Sequence, residues 1–360
     1  MLKLIVRLTL VLVTIRLASI VTLTAEEAPD YRSFLKIDVH SHIFADSPDY
    51  VRMLRRNNVR AINICTMGTD PEMVRLQQNM AEHMQNAYPD TFAFASTFDL
   101  TSRKESDYAE STIDWLESCV ESGALMIKVW KDVGMEIKDE QGRFIMPDDE
   151  LFDPIYRRVA QLGQPLIAHF AEPVAAWRPL DPDSPHYGYY LNHPEWHFYQ
   201  QEGVPSWEEI IAARDRLLEK NRSLTVIGAH LGSMAHDVDE VAERLDRYPH
   251  FYVDVSARIR DLARQPKEKV RKFFIRYQDR ILYGIDQTLA PDQVEKMTEE
   301  EIASFIKGVE NKYRSHWAYF SGNGEVELSG YQAEGLNLPL EVLEKFYFRN
   351  ARRIIPRLKF

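Results

Sequence analysis

Cysteine is nearly absent from this chain: Cys65 and Cys119 are the two in 360 residues. Two scattered thiols, one closing an apolar run and one inside a helix-like stretch, make no disulfide framework and read as buried free thiols. A Gly-rich phosphate loop of either common kind is missing, which removes the usual nucleotide-binding signatures. Basic clusters with interleaved aromatics are missing as well. Lys and Arg total 44 against 55 Asp and Glu, a formal net charge of −11. That balance argues against nucleic acid or an anionic membrane as the main partner. Beyond the first 25 residues no apolar run is long enough to span a bilayer. No internal repeat or low-complexity tract appears. What is present is a chain 45% apolar and 28% charged, enough for a substantial core under a charged surface.

The first residues have their own pattern. Lys3 and Arg7 precede apolar Leu8–Ile15 and Leu17–Ala25, and acidic Glu26-Glu27 follows. This is the layout of a secretory signal peptide, although Arg16 interrupts its apolar core. The expectation is a leader over residues 1–25, a domain over 26–360, and export to the periplasm or the medium. A membrane anchor at the N-terminus is the alternative, and an over-long start the third.

From there an apolar run followed by an amphipathic stretch recurs about eight times. The runs lie near Phe34–Val39, Ala61–Cys65, Thr91–Phe98, Ala124–Val129, Pro165–Ala168, Leu224–Ala229, Phe251–Val255 and Ile281–Ile285. Between them, helix-like stretches run from Pro71 to Ala87, Ser106 to Ser122, Asp149 to Gln161, Trp207 to Lys220, His236 to Arg247 and Lys267 to Tyr277. Gly123 and Gly163 mark helix stops. Short apolar runs alternating with helices indicate buried parallel strands with crossover helices. The expected fold is α/β, a distorted (β/α)₈ TIM barrel with long loops after strands 5 and 8. An open doubly wound sheet is the alternative.

The strand endings carry the chemistry. Ile37-Asp38-Val39-His40-Ser41-His42 places three polar side chains at a period of two, on one face of a strand. Later runs end in His169, His230 and Asp286. Each alone is as readily a core histidine or a helix-capping aspartate. In a parallel barrel, however, all strands end on one face, so four such endings converge there. Imidazole and carboxylate donors are those of a divalent metal site. The segment from Phe170 to Ser206 is too long for a plain loop and rich in aromatics, among them Trp177, Tyr189, Tyr190 and Trp196. It reads as a lid or substrate wall over the barrel mouth, with a surface subdomain as the other reading. A second insertion runs from Asp286 to Leu338, with a helix expected over Glu299–Tyr313.

The order of these motifs resembles the amidohydrolase-related family of metal-dependent hydrolases, the branch that includes aminocarboxymuconate-semialdehyde decarboxylase-like enzymes. Its marks are Ile37–His42, Ile167-Ala168-His169, Gly228-Ala229-His230-Leu231-Gly232, Tyr283-Gly284-Ile285-Asp286 and the closing Asn350-Ala351-Arg352. The resemblance implies one divalent ion, most often Zn²⁺, on His40, His42, His169 and Asp286. It leaves His230 as a polar catalytic residue or a second-metal ligand. Lys128, on the fourth run, or as a second choice Lys131, would be a carboxylated bridging ligand in a binuclear site; otherwise Lys128 binds substrate or pairs with a carboxylate. Many decarboxylases of the branch have a proline soon after the first motif. Here Ile43-Phe44-Ala45 follows, which leans toward hydrolysis.

On that basis Asp286 is expected to be ligand and proton shuttle, with His230 polarising a carbonyl or stabilising an oxyanion. Arg258 is expected to hold a substrate carboxylate, or to pair with Asp254 or Asp261. Trp130, Glu172 and Trp177 are expected to line the pocket, and Asp38 to orient a histidine or satisfy backbone donors. The expected activity is hydrolysis of an amide, ester or lactone of a small, cyclic substrate. Non-oxidative decarboxylation of an aromatic or unsaturated acid is the first rival, and a non-catalytic ligand-binding barrel the second. The expected partner is a small molecule. Nucleic acid and, once the leader is gone, membrane are not expected, and self-association is left open.

Overall fold

The computed structural model describes residues 29–66 and 68–360; the leader expected over residues 1–25 lies outside them. Among the described residues no helix is long and apolar enough to cross a membrane.

Eight parallel strands follow one another in chain order: β1 (Lys36–Ile43), β2 (Val59–Ile64), β3 (Phe92–Ser96), β4 (Met126–Val129), β5 (Leu166–Ala168), β6 (Val226–Gly228), β7 (Phe251–Asp254) and β8 (Ile281–Leu282). Each pairs with the next, and a short β9 (Gln287–Leu289) lies parallel to the end of β1. The stretch joining β8 to β9 brings the sheet back to its start. Val39 N–H donates to the Tyr283 carbonyl at 2.9 Å, and Asp286 N–H donates to the His40 carbonyl at 2.8 Å. The fold is therefore the expected distorted barrel. Its strand endings, and with them every expected donor, meet at one mouth.

The strands read as apolar runs because both faces are covered. Ile37, Val39, Ile62, Ile64, Ala95, Met126, Ile167, Ile227 and Leu282 pack inside the ring as one buried cluster. A second, larger cluster fills the space between strands and outer helices. The helices start where the sequence provides acceptors for orphan N–H groups. Asp70 accepts from the N–H groups of Glu72 and Met73 ahead of Pro71–Ala87, and Ser206 with Glu209 forms a capping box ahead of Trp207–Lys220. Gly123, at φ 120°, ends Tyr108–Ser122 as expected.

Three features differ from the expectation. A helix at Pro48–Arg56 was not anticipated, although Ser47 and Pro48 signal its start. The helix expected over Glu299–Tyr313 continues to Ser321, since its last turns bury Trp317, Tyr319 and Phe320. The second insertion also holds β9 and a hairpin, Glu325–Leu328 with Tyr331–Glu334. β9 has a single buried residue, Leu289, so no run marks it, and pairing with β1 makes it a strand.

Candidate metal centre

β1 supplies His40 and His42. The His42 Nδ1 lies 2.7 Å from the Ile64 carbonyl of β2. The His40 Nδ1 lies 2.9 Å from Asp254 Oδ2 and 2.9 Å from the Ser256 Oγ. Asp38 touches neither ring. Its carboxylate accepts from the N–H groups of His40 and Ile285 and from the hydroxyls of Ser41 and Tyr313, so it ties β1 to β8 and to the long helix. Of its two expected roles, satisfying backbone donors is the one it plays.

The opposite side of the mouth is built on strained backbone. After β6 the chain makes one left-handed turn: His230, Leu231, Gly232 and Ser233 have φ of 59°, 57°, 61° and 65°. Such a conformation costs roughly 1–2 kcal/mol per residue with a side chain. Three contacts hold it. Asp254 Oδ1 accepts from His230 N–H at 3.0 Å. Buried Arg214 donates to the Gly232 carbonyl at 2.6 Å. The Ser233 hydroxyl donates to the Ala171 carbonyl. His230 Nδ1 then lies 2.8 Å from the Ser256 carbonyl. Asp286 is also at positive φ, 58°, just after Gly284. A Cβ on Gly284 would come within 2.9 Å of the His40 Cβ, so only glycine lets β8 pass this close.

These contacts fix the protons. Carbonyl and carboxylate oxygens only accept, so Nδ1 of His40, His42 and His230 each carries a hydrogen, and in the neutral rings each Nε2 is a bare lone pair. All three lone pairs face Asp286. Its Oδ1 lies 3.2 Å from His42 Nε2 and 3.7 Å from His40 Nε2, and its Oδ2 lies 3.8 Å from His230 Nε2. Three lone pairs and two carboxylate oxygens this close call for positive charge between them. Two donors each about 2.1 Å from a tetrahedral ion sit about 3.4 Å apart, so this spacing fits one divalent cation. His40, His42 and Asp286 form one such cluster; His40, His230 and Asp254 are also close together, but there Asp254 is bonded to the Nδ1 side of His40. His169 lies against His230, ring centroids 4.4 Å apart, and its Nε2 is buried without a partner among the described residues. That orphaned nitrogen lines the same cavity, outside the close group of His40, His42 and Asp286.

The electrostatics agree. Burial pushes the Asp286 carboxyl upward, whereas positive charge at His40, His42 and His230 outweighs it and holds it well below the usual carboxylate range, so with neutral rings a cation has to supply that charge. Asp254 behaves in the same way against His40, His230 and Ser256. Burial holds His40, His169 and His230 below the ordinary imidazole range, hence neutral and able to ligate. This bears on His230. A neutral ring whose Nδ1–H is engaged has no N–H left to give a carbonyl or oxyanion, so its Nε2 offers a base or a ligand instead.

The cavity around these donors measures about 530 Å³, and Lys128, Trp130, Lys131, Glu172, Tyr189 and Arg258 line it. Lys128 is fully buried, and its Nζ has no partner among the described residues. Burial pulls its ammonium down to about 8, against the pull of Asp254 and Asp286. Arg258 pairs with neither Asp254 nor Asp261, which are taken by His40 and His186. Glu172 lines the wall bound to Lys131 and to the Tyr190 hydroxyl. Trp177 does not line the cavity. Its indole N–H donates to the Pro205 carbonyl and its ring packs on Phe198, so it braces the lid from within. Sequence reasoning passed over Asp254 and Ser256 as site residues. Asp254 is a charged residue inside the apolar run Phe251–Val255, and that interruption was the available signal.

Residues 37–357 match the model of the amidohydrolase family. The chain belongs to that family. No curated protein matches it. Among solved structures it is similar to an amidohydrolase II, at 14% identity, with 89% of this chain and 99% of that one covered and a TM-score of 0.52. A candidate amidohydrolase from Staphylococcus aureus gives the same four values. A 2,6-dihydroxybenzoate decarboxylase from Rhizobium is 15% identical over 76% of this chain and 99% of that one, with a TM-score of 0.45. At such identities the likeness concerns the fold alone.

Proposed function

We propose that this amidohydrolase-family chain is a metal-dependent hydrolase of a small, carboxylate-bearing ester, amide or lactone. The observation that carries the reading is the convergence of three Nε2 lone pairs on the Asp286 carboxylate, each enforced by an acceptor behind its ring. A divalent ion there, Zn²⁺ by its nitrogen-rich donor set, supplies the positive charge that makes water acidic near neutral pH. His40, His42, Asp286 and the unpartnered His169 are the residues to hold it. One ion is expected. Lys128, with no carboxylate bonded to it, serves as a pocket cation rather than a bridging ligand.

The chain's own groups divide the remaining work. Asp286 Oδ1 faces His42 and His40, which leaves Oδ2, beside His230 Nε2, to take a proton from water and pass it to the leaving group. His230, with its Nε2 bare, shares that proton. Arg258 and Lys128 sit in the same cavity without carboxylate partners among the described residues, so a substrate carboxylate has two cations to meet. The aromatic lid shields the exchange from bulk water.

Those same cations favour a second reading, non-oxidative decarboxylation, because they hold a carboxylate next to the metal donors. One experiment separates the two. Zn²⁺-loaded protein is incubated in ¹⁸O-water with carboxylated lactones, esters and amides, and separately with hydroxyaryl carboxylates. Hydrolysis puts ¹⁸O into the acid product, whereas decarboxylation releases CO₂ and puts solvent hydrogen on carbon. Failure to bind any divalent ion would end both readings.

A further inference from the structure

Beside the metal cavity lies a second one of about 590 Å³. Pro185 and His186 belong to the walls of both, so they form the partition. Its sides are apolar, formed by Val174, Ala175, Leu180 and Pro182 of the lid. Its base is polar and unusual. His186 Nε2 lies 2.8 Å from Asp261 Oδ1, which commits the Nε2 proton. Asp261 is 8% exposed, and its Oδ2 has no partner among the described residues. An unpaired buried carboxylate oxygen costs free energy until a donor reaches it. Arg178 and Arg264 on the rim have no carboxylate within 4 Å among the described residues, so the entrance is not suited to an ammonium group.

We propose that this cavity is a second substrate subsite, which takes a largely apolar distal group carrying a hydroxyl. This rests on the metal-site reading above and deepens it. The reacting, carboxylate-bearing end sits among the metal donors and Arg258. The distal group passes the Pro185–His186 partition, packs on the lid's apolar residues and donates its hydroxyl hydrogen to Asp261 Oδ2. The apolar walls select against charged or polyhydroxylated tails. Asp261 selects for one donor at a set distance.

The test uses full-length chain loaded with Zn²⁺ and two matched probe series, ω-phenylalkanoates and ω-(4-hydroxyphenyl)alkanoates with linkers of increasing length, titrated by calorimetry. Affinity should rise at one linker length, and there the hydroxyl should add about tenfold, the scale of a hydrogen bond to a buried charge. Ala175→Trp, which fills the cavity, should abolish the length dependence and leave phenylacetate binding unchanged. Asp261→Leu should erase the hydroxyl increment and keep the phenyl one, and the first variant stands alone if the second does not fold. 4-Methylphenol, followed by ligand-observed NMR with toluene as its control, probes the cavity without the metal pocket and should bind in preference. Loss of zinc loading and phenylacetate binding would sink the metal-site reading instead. Affinities indifferent to length, hydroxyl and Ala175→Trp, with no preference for 4-methylphenol, would overturn the second subsite.

Discussion

The floor of the pocket and its lid are built in different ways. On the floor nearly every polar atom is committed to a partner: Nδ1 of three histidines to oxygens, both Asp254 oxygens to ring and backbone, and Arg214 to the carbonyl of a left-handed turn. The lid rests on aromatic edges and a few scattered polar contacts, His186 with Asp261, Tyr189 and Glu172 with Lys131, and the Ala171 carbonyl with the Ser233 hydroxyl. A committed network holds donors to within tenths of an ångström, as a metal ion demands. Aromatic packing tolerates displacement, as substrate entry demands. Single substitutions should therefore be far more damaging on the floor.

The largest effect is expected at Asp286. Asp286→Asn keeps one oxygen for the metal but cannot accept a proton, so turnover should fall by about 10²–10⁴ and metal affinity should weaken. His230→Asn should lower turnover on the same scale with metal content unchanged. Metal analysis and rates on the same preparations decide between them. If His230→Asn also loses the ion, His230 is a ligand. Next comes Asp254→Asn, which touches neither metal nor substrate. Its carboxamide can turn an N–H toward His40 Nδ1 and so favour the wrong tautomer. Metal affinity should drop about 10–100-fold in a chelator competition, the usual scale for a group behind a ligating histidine. An unchanged affinity would show that the floor is not a committed network.

Arg214→Met tests the strained turn. Removing the buried guanidinium frees the Gly232 carbonyl and leaves Asp215 with Arg244 alone. A loss of about 3 kcal/mol in denaturant unfolding is expected, with metal affinity falling alongside. Stability lost with metal affinity intact would mean that the turn holds its shape without Arg214.

Legibility in the sequence follows the same division. The barrel was readable because its strands are buried on both faces, and the ligand candidates because strand ends share one side. Asp254 escaped because its partner, His40, lies 214 positions away, and Ser256 because a hydroxyl has no pattern of its own. The left-handed turn at His230–Ser233 is supported by Arg214 and Asp254, contacts that no local signal marks. Lid residues were legible as a group, by length and aromatic content, but not one by one. Trp177 and Trp130 look alike in the sequence, yet one faces inward to Pro205 and the other the pocket.

Asp132 offers a smaller, pH-dependent effect at the floor's edge. Burial raises its carboxyl to about 7, and its Oδ2 has no partner among the described residues. The folded-state value lies above the unfolded one. Its contribution is thus fully present below about pH 4 and is lost as pH rises toward about 7, where the unfolded chain releases a proton that the folded chain keeps. The native protein should lose up to a few kcal/mol across that window. Asp132→Asn should flatten this segment of the stability profile. Denaturant midpoints at pH 4.5 and 7.5 check it, and parallel profiles for the two proteins would refute it.

The smallest effect is expected in the lid. Trp177→Phe keeps an aromatic ring against Phe198 and removes the indole N–H that donates to the Pro205 carbonyl at 2.9 Å. That bond joins the two ends of the lid, so its loss should cost about 1 kcal/mol, the net worth of one ordinary hydrogen bond. Because the ring does not line the metal cavity, metal affinity and KM should stay within about twofold of the parent. The lid can absorb the change by a small shift of its aromatic contacts, an option that the floor's fixed acceptors lack. Thermal unfolding, metal titration and KM together form the test. A tenfold rise in KM would place Trp177 in contact with substrate and would mean that the lid is as exacting as the floor beneath it.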